Sequence, residues 1–303
     1  MPHKSAFISI VGRPNTGKST LLNTLVGKKI SITSHHPNTT RLAIKGILTE
    51  KDYQLIFIDT PGLHKAKTSL GTTLNQVVHS SIKDVDIVIQ CLPAIESIGS
   101  GDLYIARQIS AQSSMKRICV ITMVEMVNKQ DLAKQLISAQ DLANKAGFSW
   151  DEIVPVSAFT DEQIQLLIDL LVKHAENGPV FYPSDMLSDQ DKLISVAELI
   201  RESAISNLRE EVPHSVAVKV DDLQERPDGK LVDIHASIIV ERDSQKAILI
   251  GKRGSNLKEI GTNARNEIEK ILCRKVYLAL HVKVIENWQK DSKALQKLGF
   301  IQN

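Results

Sequence analysis

A glycine-rich segment near the amino end of the chain has the residue types needed to hold a polyphosphate. It reads GRPNTGKS and fits the pattern G-x-x-x-x-G-K-[ST]. The apolar run AFISIV before it predicts a buried strand, and TLLNTLV after it has the apolar spacing of a helix. Backbone N–H groups at such a helix N-terminus turn toward phosphates, so a nucleoside triphosphate site is favoured over an ordinary glycine turn. The predicted contacts are Gly12, Arg13, Pro14, Asn15, Thr16, Gly17, Lys18 and Ser19.

Three side chains are candidates for the reacting end of the nucleotide. Lys18 can reach the β and γ phosphates, and the Ser19 hydroxyl can ligate Mg²⁺. Asp59 ends the apolar run IFID and can hold Mg²⁺ through water. The N–H of Gly62, three residues further on, can meet the γ phosphate. Binding and turnover at this end therefore involve Lys18, Asp59, Thr60, Pro61, Gly62 and Leu63.

A polar segment without clear periodicity, SITSHHPNTTR, occupies residues 31–41 and has the character of a mobile switch loop. A hydroxyl from this loop can complete the Mg²⁺ shell when the γ phosphate is present. Thr40 is the preferred candidate and Thr39 the second choice. The alternative is an ordinary surface loop with two threonines.

The order and separation of four segments, GRPNTGKS, PNTTR, DTPG and VPVSA, resemble the Era-like branch of the TRAFAC GTPases. The resemblance implies GTP and GDP as ligands, Mg²⁺ as the metal and hydrolysis to GDP and phosphate. It also implies that Ser157 and Ala158, after the strand EIVPV, face the base through a backbone amide.

The base-reading box of such GTPases, Asn-Lys-x-Asp, is altered in this chain. At the expected place, directly after the strand RICVI, stand Thr122, Met123, Val124 and Glu125. Glu125 keeps a carboxylate one methylene longer, and Met123 replaces the lysine. We therefore predict that Thr122 and Glu125 read the base, with weakened guanine selectivity.

A literal Asn-Lys-Gln-Asp occurs six residues later, at 128–131. An insertion of six residues places almost two helical turns between the strand and the pocket. The segment 128–131 is therefore poorly placed to read a base. Asn128 instead predicts a helix N-cap, with Asp131 in the first helical turn.

Leu63 stands where Ras-like enzymes carry the glutamine that orients the attacking water. A leucine side chain neither donates nor accepts a hydrogen bond. Intrinsic turnover is therefore predicted to be slow, with the water positioned by backbone groups, an ion or a bound partner.

A second glycine motif in the last third of the chain indicates nucleic-acid binding. Gly251, Lys252, Arg253 and Gly254 form Gly-x-x-Gly between two helical stretches, with Lys258 following. Residues 242–275 carry nine Lys or Arg against four Asp or Glu, although the whole chain is only +2. The alternative is a helix C-cap with a solvated basic face. Base contacts are expected from Ile248, Ile250, Leu257 and Ile260, most of which are equally good core candidates.

The pattern of elements predicts two domains in a chain of 303 residues. Residues 1–177 alternate strands and helices, which predicts an α/β domain with a mostly parallel sheet and helices on both faces. With its motifs, this domain resembles a P-loop GTPase domain. Residues 178–191 have the composition of a linker. Residues 192–303 have an α+β order that, with its GxxG turn and C-terminal tail, resembles a type II KH domain. Three widely spaced cysteines predict buried, reduced thiols.

The family resemblance implies an RNA-binding GTP switch whose partners are 16S ribosomal RNA, in its single-stranded 3′ region, and the 30S subunit during its assembly. One alternative is an RNA-binding module whose nucleotide site is structural and turns over little. We expect a cytoplasmic monomer. Peripheral attachment to the inner face of the membrane is a further possibility that the family raises, although no long basic amphipathic helix is evident.

Overall fold

A computed structural model of the chain describes residues 3–34, 36, 39–63, 68–112, 114–206, 208, 213–227 and 229–300. These residues form two compact units. The first comprises Met1–Thr33, Thr40–Ala66 and Gly71–Asp189, and the second comprises Ser34–Thr39, Lys67–Leu70 and Gln190–Asn303.

The first unit is built on the mostly parallel sheet that the sequence predicts. Its strands lie in the order β2-β3-β1-β4-β5-β6, and only β2 and the two-residue β7 run antiparallel to their neighbours. The strands are β1 (Lys4–Val11), β2 (Ile44–Thr49), β3 (Tyr53–Asp59), β4 (Ile87–Pro93), β5 (Lys116–Thr122), β6 (Glu152–Pro155) and β7 (Glu176–Asn177). The helices are α1 (Lys18–Val26), α2 (Ser69–Lys83), α3 (Ser100–Ser110), α4 (Lys129–Ala146) and α5 (Ile164–His174).

Helices cover both faces of this sheet because successive strand residues point to opposite sides. Along β4, Ile89 and Cys91 join the core under α1 and α5, whereas Val88 and Leu92 join the core under α2, α3 and α4. Apolar burial on both faces explains why these strands read as continuous apolar runs.

Parallel pairing brings the carboxyl ends of the central strands to one edge of the sheet. Ile10 of β1 pairs with Asp59 of β3, and Ile121 of β5 pairs with Pro155 of β6. The loops that follow β1, β3, β5 and β6 therefore leave the sheet side by side, which is where a doubly wound fold binds its ligand.

The second unit contains a three-stranded sheet in the order β10-β9-β8, with β9 parallel to β10 and antiparallel to β8. The α+β order of this unit agrees with the sequence prediction. Its elements are α6 (Lys192–Ile205), β8 (Ala217–Glu225), β9 (Leu231–Val240), α7 (Asp243–Ile250), α8 (Ser255–Leu272), β10 (Lys275–Val284) and α9 (Ser292–Lys297).

Each unit buries one of the two tryptophans of the chain. The Trp150 indole N–H donates to the carbonyl of Ala139 over 2.9 Å in the first unit. In the second, Trp288 is fully buried, donates to the carbonyl of Ser215 over 3.0 Å and stacks with Phe300. The segment after β10 is therefore part of the core of the second unit.

The cysteines agree only partly with the prediction of buried thiols. Cys91 and Cys119 are buried in the sheet, and burial raises the pKa of the Cys91 thiol to about 12. Cys273 is exposed, because it follows the last turn of α8 instead of lying in a strand.

Within the part of the chain that the structure describes, no helix is long and apolar enough to cross a membrane.

Candidate nucleotide and nucleic-acid sites

The glycine-rich segment forms a tight loop between β1 and α1. The ammonium group of Lys18 is buried and donates to the carbonyls of Gly12, over 3.2 Å, and Arg13, over 2.7 Å. A Cβ on Gly12 would lie 2.6 Å from the Thr16 hydroxyl and 2.9 Å from the carbonyl of Cys91. Only glycine leaves room for this turn, and Gly17 begins α1 at a φ of 81°.

The side chains of the loop face in different directions. Asn15 is exposed and has a positive φ of 62°, whereas Thr16 is buried and its hydroxyl donates to the Arg13 carbonyl. The Arg13 guanidinium donates to Asp102 over 2.8 Å and pairs with Glu96 over 3.0 Å. Burial lowers the pKa of Arg13, but these two carboxylates outweigh it and raise the pKa above its ordinary value.

Three predicted metal-site residues, one from each of three segments, come together at the sheet edge. The Ser19 hydroxyl lies 2.8 Å from the Thr40 hydroxyl and donates to Asp59 Oδ2 over 2.8 Å. Asp59 is fully buried, and its Oδ1 has no hydrogen-bond partner among the described residues. One unpaired carboxylate oxygen beside two hydroxyls is a hard-oxygen set that fits Mg²⁺.

Ser31 is a member of this cluster that the sequence analysis missed. Its buried hydroxyl donates to Asp59 Oδ2 over 2.9 Å. Asn23 of α1 fixes the Ser31 backbone, accepting from its N–H over 2.9 Å and donating to its carbonyl over 2.8 Å. A serine after an amphipathic helix gives no local signal for this role, because the contact to Asp59 spans 28 positions of sequence.

Lys18 and Asp59 are buried charges of opposite sign, and each partly offsets the effect of burial on the pKa of the other. Burial raises the pKa of Asp59, while the Lys18 charge and the hydroxyls of Ser19 and Ser31 lower it. Burial lowers the pKa of Lys18, while the charge of Asp59 raises it. A polyanion with its metal provides further counter-charge for both groups.

The segment after Asp59 lies directly against the glycine-rich loop. The Thr60 hydroxyl donates to the carbonyl of Ile10 over 2.9 Å, and a Cβ on Gly62 would lie 2.6 Å from the nitrogen of Pro14. Leu63 donates its N–H to the carbonyl of Gly12 over 3.3 Å. The Leu63 side chain is buried in the core under α2, α3 and α4, so it does not face the phosphate loop.

The predicted base-reading residues also lie at this edge of the sheet. Thr122 is buried and its hydroxyl donates to the carbonyl of Thr16 over 2.9 Å, which ties β5 to the phosphate loop. Glu125 is exposed on a 3₁₀ turn, Val124–Met126. Ser157 is buried, and the carbonyl of Ala158 accepts from the Thr24 hydroxyl of α1 over 3.1 Å.

Met123 takes the place of the lysine on this side of the pocket. It adopts a left-handed conformation at a φ of 60°, and its Cε would lie 3.6 Å from a Cβ placed on Gly17. A flexible thioether therefore packs over the loop.

The Asn-Lys-Gln-Asp segment at 128–131 has the structural role that the sequence predicts. Asn128 is the N-cap of α4, and its side chain accepts from the N–H of Asp131 over 2.9 Å. Asp131 in turn pairs with Lys134 over 2.8 Å on the exposed face of the helix. The prediction that Asn128 caps a helix is confirmed.

Parts of the predicted switch segments lie outside the described residues. These are His35, Pro37 and Asn38 in the loop 31–41, and residues 64–67 after the DTPG segment. The second unit includes Ser34–Thr39, and in it the buried Arg201 pairs with Glu198 and donates to the carbonyl of Thr39. Within the second unit, helix α6 therefore holds the carbonyl of Thr39.

The GxxG turn joins α7 to α8 with an accessible backbone. Gly251 has a φ of 70°, and a Cβ there would lie 2.5 Å from Asn256 Cγ, whereas a Cβ on Gly254 would meet nothing within 4 Å. Lys252 and Arg253 are exposed. The turn can therefore bring two cations and an open glycine backbone to a phosphate.

A groove beside this turn runs between α8 and β10. Its lining combines two basic side chains, Lys258 and Arg265, with apolar side chains of α8 and β10. Of the predicted groove candidates only Leu257 lines it, whereas Ile260 is core and Ile248 is 46% exposed elsewhere. The β10 residues were missed because only tertiary packing brings them there: Val276, Tyr277, Leu278 and Leu280.

Comparisons with known proteins agree with this arrangement. A family described as 50S ribosome-binding GTPase matches residues 7–129, and the KH domain family matches residues 211–289. The chain is 46% identical to GTPase Era of Streptomyces coelicolor over 302 residues, spanning 98% of this chain and 95% of that protein. It is 48% identical to GTPase Era of Mycolicibacterium smegmatis over 299 residues, spanning 98% and 99%.

Two solved structures have the same fold at 34% sequence identity, and both comparisons cover 99% of this chain and 100% of theirs. One, with a TM-score of 0.94, is Era in complex with MgGDPNP and nucleotides 1506–1542 of 16S ribosomal RNA. The other, with a TM-score of 0.93, is a point variant of Aquifex aeolicus Era bound to GDP and AlF4⁻.

Proposed function

The chain belongs to the Era family of GTPases, and we propose that it is a GTP-controlled switch that binds the 3′ region of 16S ribosomal RNA during 30S subunit assembly. The observation that carries this proposal is the GxxG turn with its exposed Lys252 and Arg253, beside a groove lined by basic and apolar side chains. Such a surface clamps a single-stranded backbone and leaves its bases on apolar side chains. The solved Era complex holds an RNA of this region.

Main-chain groups of the glycine-rich loop would bind the nucleotide, and Lys18 would supply positive charge to the β and γ phosphates. Ser19, Thr40 and Asp59 would hold the metal, and Ser31 orients Asp59 through its hydroxyl. When bound, Mg²⁺ supplies positive charge at the phosphate oxygens. The N–H of Gly62 binds the γ phosphate, and its closeness to Pro14 keeps it beside the loop.

Turnover is slow without help because the side chain next to Gly62 cannot orient water. Leu63 is 3% exposed and belongs to the core, so the attacking water is positioned by backbone groups, an ion or a bound partner. Steady-state phosphate release, measured with and without RNA, tests this directly. A rate at the level of uncatalysed hydrolysis under both conditions would favour a purely structural nucleotide site.

RNA binding is tested by reversing the two exposed charges of the turn. The double variant Lys252→Asp and Arg253→Asp should lose about 100-fold in affinity for a short pyrimidine-rich RNA, because two phosphate contacts become repulsive. GTP affinity should remain within about twofold. The matched control, Lys134→Asp with Lys145→Asp on α4, changes the net charge equally and should bind RNA nearly as well as the native chain. Unchanged RNA affinity in the first variant would contradict the proposal.

Nucleotide state is proposed to control RNA binding by ordering two segments, the predicted switch loop 31–41 and the segment 63–73 that follows DTPG. Thr40 bonds Ser19, while its neighbour Thr39 is held by Arg201. Ordering of Thr40 at the γ phosphate is the step that we propose to change RNA affinity. RNA affinity should be higher with a GTP analogue than with GDP, and equal affinities would show that the coupling is absent.

We further propose a cytoplasmic monomer. Light scattering checks the mass of 33.5 kDa. Flotation with anionic vesicles tests the peripheral membrane attachment that the family resemblance raised.

A further inference from the structure

We propose that Asp102, at the start of α3, is a positioning residue for the phosphate loop that acts through Arg13. Asp102 is fully buried, and both of its oxygens are engaged. Oδ1 accepts from Arg13 Nε over 2.8 Å, and Oδ2 accepts from the N–H of Gly99 over 2.9 Å. The same carboxylate thus caps α3 and anchors the loop to that helix.

Arg13 transmits this anchor because its backbone and side chain have different partners. Its carbonyl accepts from Lys18 Nζ over 2.7 Å and from the Thr16 hydroxyl over 3.0 Å. Its side chain runs past Gly101, where a Cβ would lie 2.9 Å from Arg13 Cδ. Fixing the guanidinium on Asp102 therefore fixes the carbonyl that holds the phosphate-binding lysine.

The second carboxylate beside Arg13 contributes less to this anchor. The Glu96 side chain is 45% exposed, whereas the Asp102 side chain is inaccessible to solvent. Exposed ion pairs are screened by water and salt, whereas the Asp102 carboxylate is fully shielded, so its bond to Arg13, whose side chain is 26% exposed, is screened less than the bond to Glu96. The positioning role is therefore assigned to Asp102 and not to Glu96.

The experiment separates loop positioning from simple helix capping. In Asp102→Asn the amide oxygen can still accept from Gly99, while its NH₂ group would face the donor Arg13 Nε. The chain offers a matched control in Asp151, whose carboxylate also accepts one backbone N–H, from Arg117, and one cation, Lys116. That site is at the amino ends of β5 and β6, the edge of the sheet opposite the phosphate loop.

Affinity and dissociation rate of a fluorescent GDP are measured at a temperature at which every variant is folded. The proposal rests on nucleotide binding by the native chain, which is measured first; failure there would concern the GTPase site itself. Asp102→Asn should bind GDP about tenfold more weakly and release it faster, whereas Asp151→Asn should stay within about twofold.

A double-mutant cycle with Arg13→Gln tests the route. Because Asp102 acts through Arg13, the double variant should bind GDP no more weakly than the single variant that has the lower GDP affinity. Native affinity in Asp102→Asn, or effects of the two changes that multiply, would overturn the proposal. If Asp102→Asn fails to fold, Arg13→Gln is compared with Glu96→Gln. Arg13→Gln leaves the cap on Gly99 intact and should weaken GDP binding about tenfold, whereas Glu96→Gln should leave it within about twofold; equal effects of the two changes would overturn the proposal.

Discussion

The two sides of the proposed nucleotide site, one assigned to the phosphates and one assigned to the base, are built differently. The phosphate loop is closed by contacts within its own eight residues, such as Lys18 to the carbonyls of Gly12 and Arg13, to which single bonds from Thr122 and Asp102 are added. The base side is assembled from the ends of β5 and β6, and there Met123 and Glu125 replace the lysine and aspartate of the usual box. Local geometry tolerates little change, whereas a pocket made of separate side chains can lose selectivity while it still binds a nucleotide.

The largest effect is expected at the phosphate loop itself. Lys18→Met should weaken GTP and ATP binding equally, by about 100-fold, because a buried cation at the phosphates is lost for both. Competition against a fluorescent nucleotide measures this. A loss confined to GTP would mean that the phosphate half contributes to base selection.

The second-largest effect is expected at the hydrogen bond between Thr122 at the end of β5 and Thr16 in the phosphate loop. Thr122→Val removes the hydroxyl that donates to the carbonyl of Thr16 over 2.9 Å, leaving a buried acceptor unpaired at a cost of about 1–3 kcal/mol. Both nucleotides should bind about tenfold more weakly. Dissociation rates of fluorescent GDP and ADP give the ratio; equal losses would limit Thr122 to this contact, whereas a larger loss for GDP would support the prediction that Thr122 also reads the base.

Restoring the usual base side should change selectivity and leave phosphate binding intact. Met123→Lys combined with Glu125→Asp is expected to raise the preference for GTP over ATP about tenfold, because the shorter carboxylate matches the guanine edge. Competition of GTP against ATP measures the preference. A native chain that already prefers GTP as strongly as this variant would show that the altered box carries no penalty.

The smallest effect on nucleotide binding is expected at the Asn-Lys-Gln-Asp segment, residues 128–131. Asn128→Ala should lower the free energy of unfolding by about 1 kcal/mol through loss of the cap on α4. The ratio of GTP to ATP affinity should not change. Thermal unfolding and nucleotide competition on the same preparation check both points, and a fall in guanine preference would identify Asn128 as a base reader.

The sequence predicted the elements that have local signals. The glycine-rich loop, the strands that precede each site residue and the N-cap at Asn128 all follow from patterns a few residues long. It missed Ser31 on Asp59, the exposure of Cys273 and the groove residues of β10, because these depend on contacts between distant segments. The sequence showed that the Leu63 side chain cannot form a hydrogen bond to the attacking water. It did not show that this side chain is buried in the core.

The burial of one tryptophan in each unit gives the molecule two intrinsic optical reporters. Trp150 and Trp288 are both shielded and hydrogen-bonded through their indole N–H groups, so each should emit at short wavelength and shift to the red when its own unit opens. Replacing Trp150 with phenylalanine would leave emission from the KH half alone. Denaturant titrations of the native chain and this variant would then reveal whether the two units unfold together or one after the other.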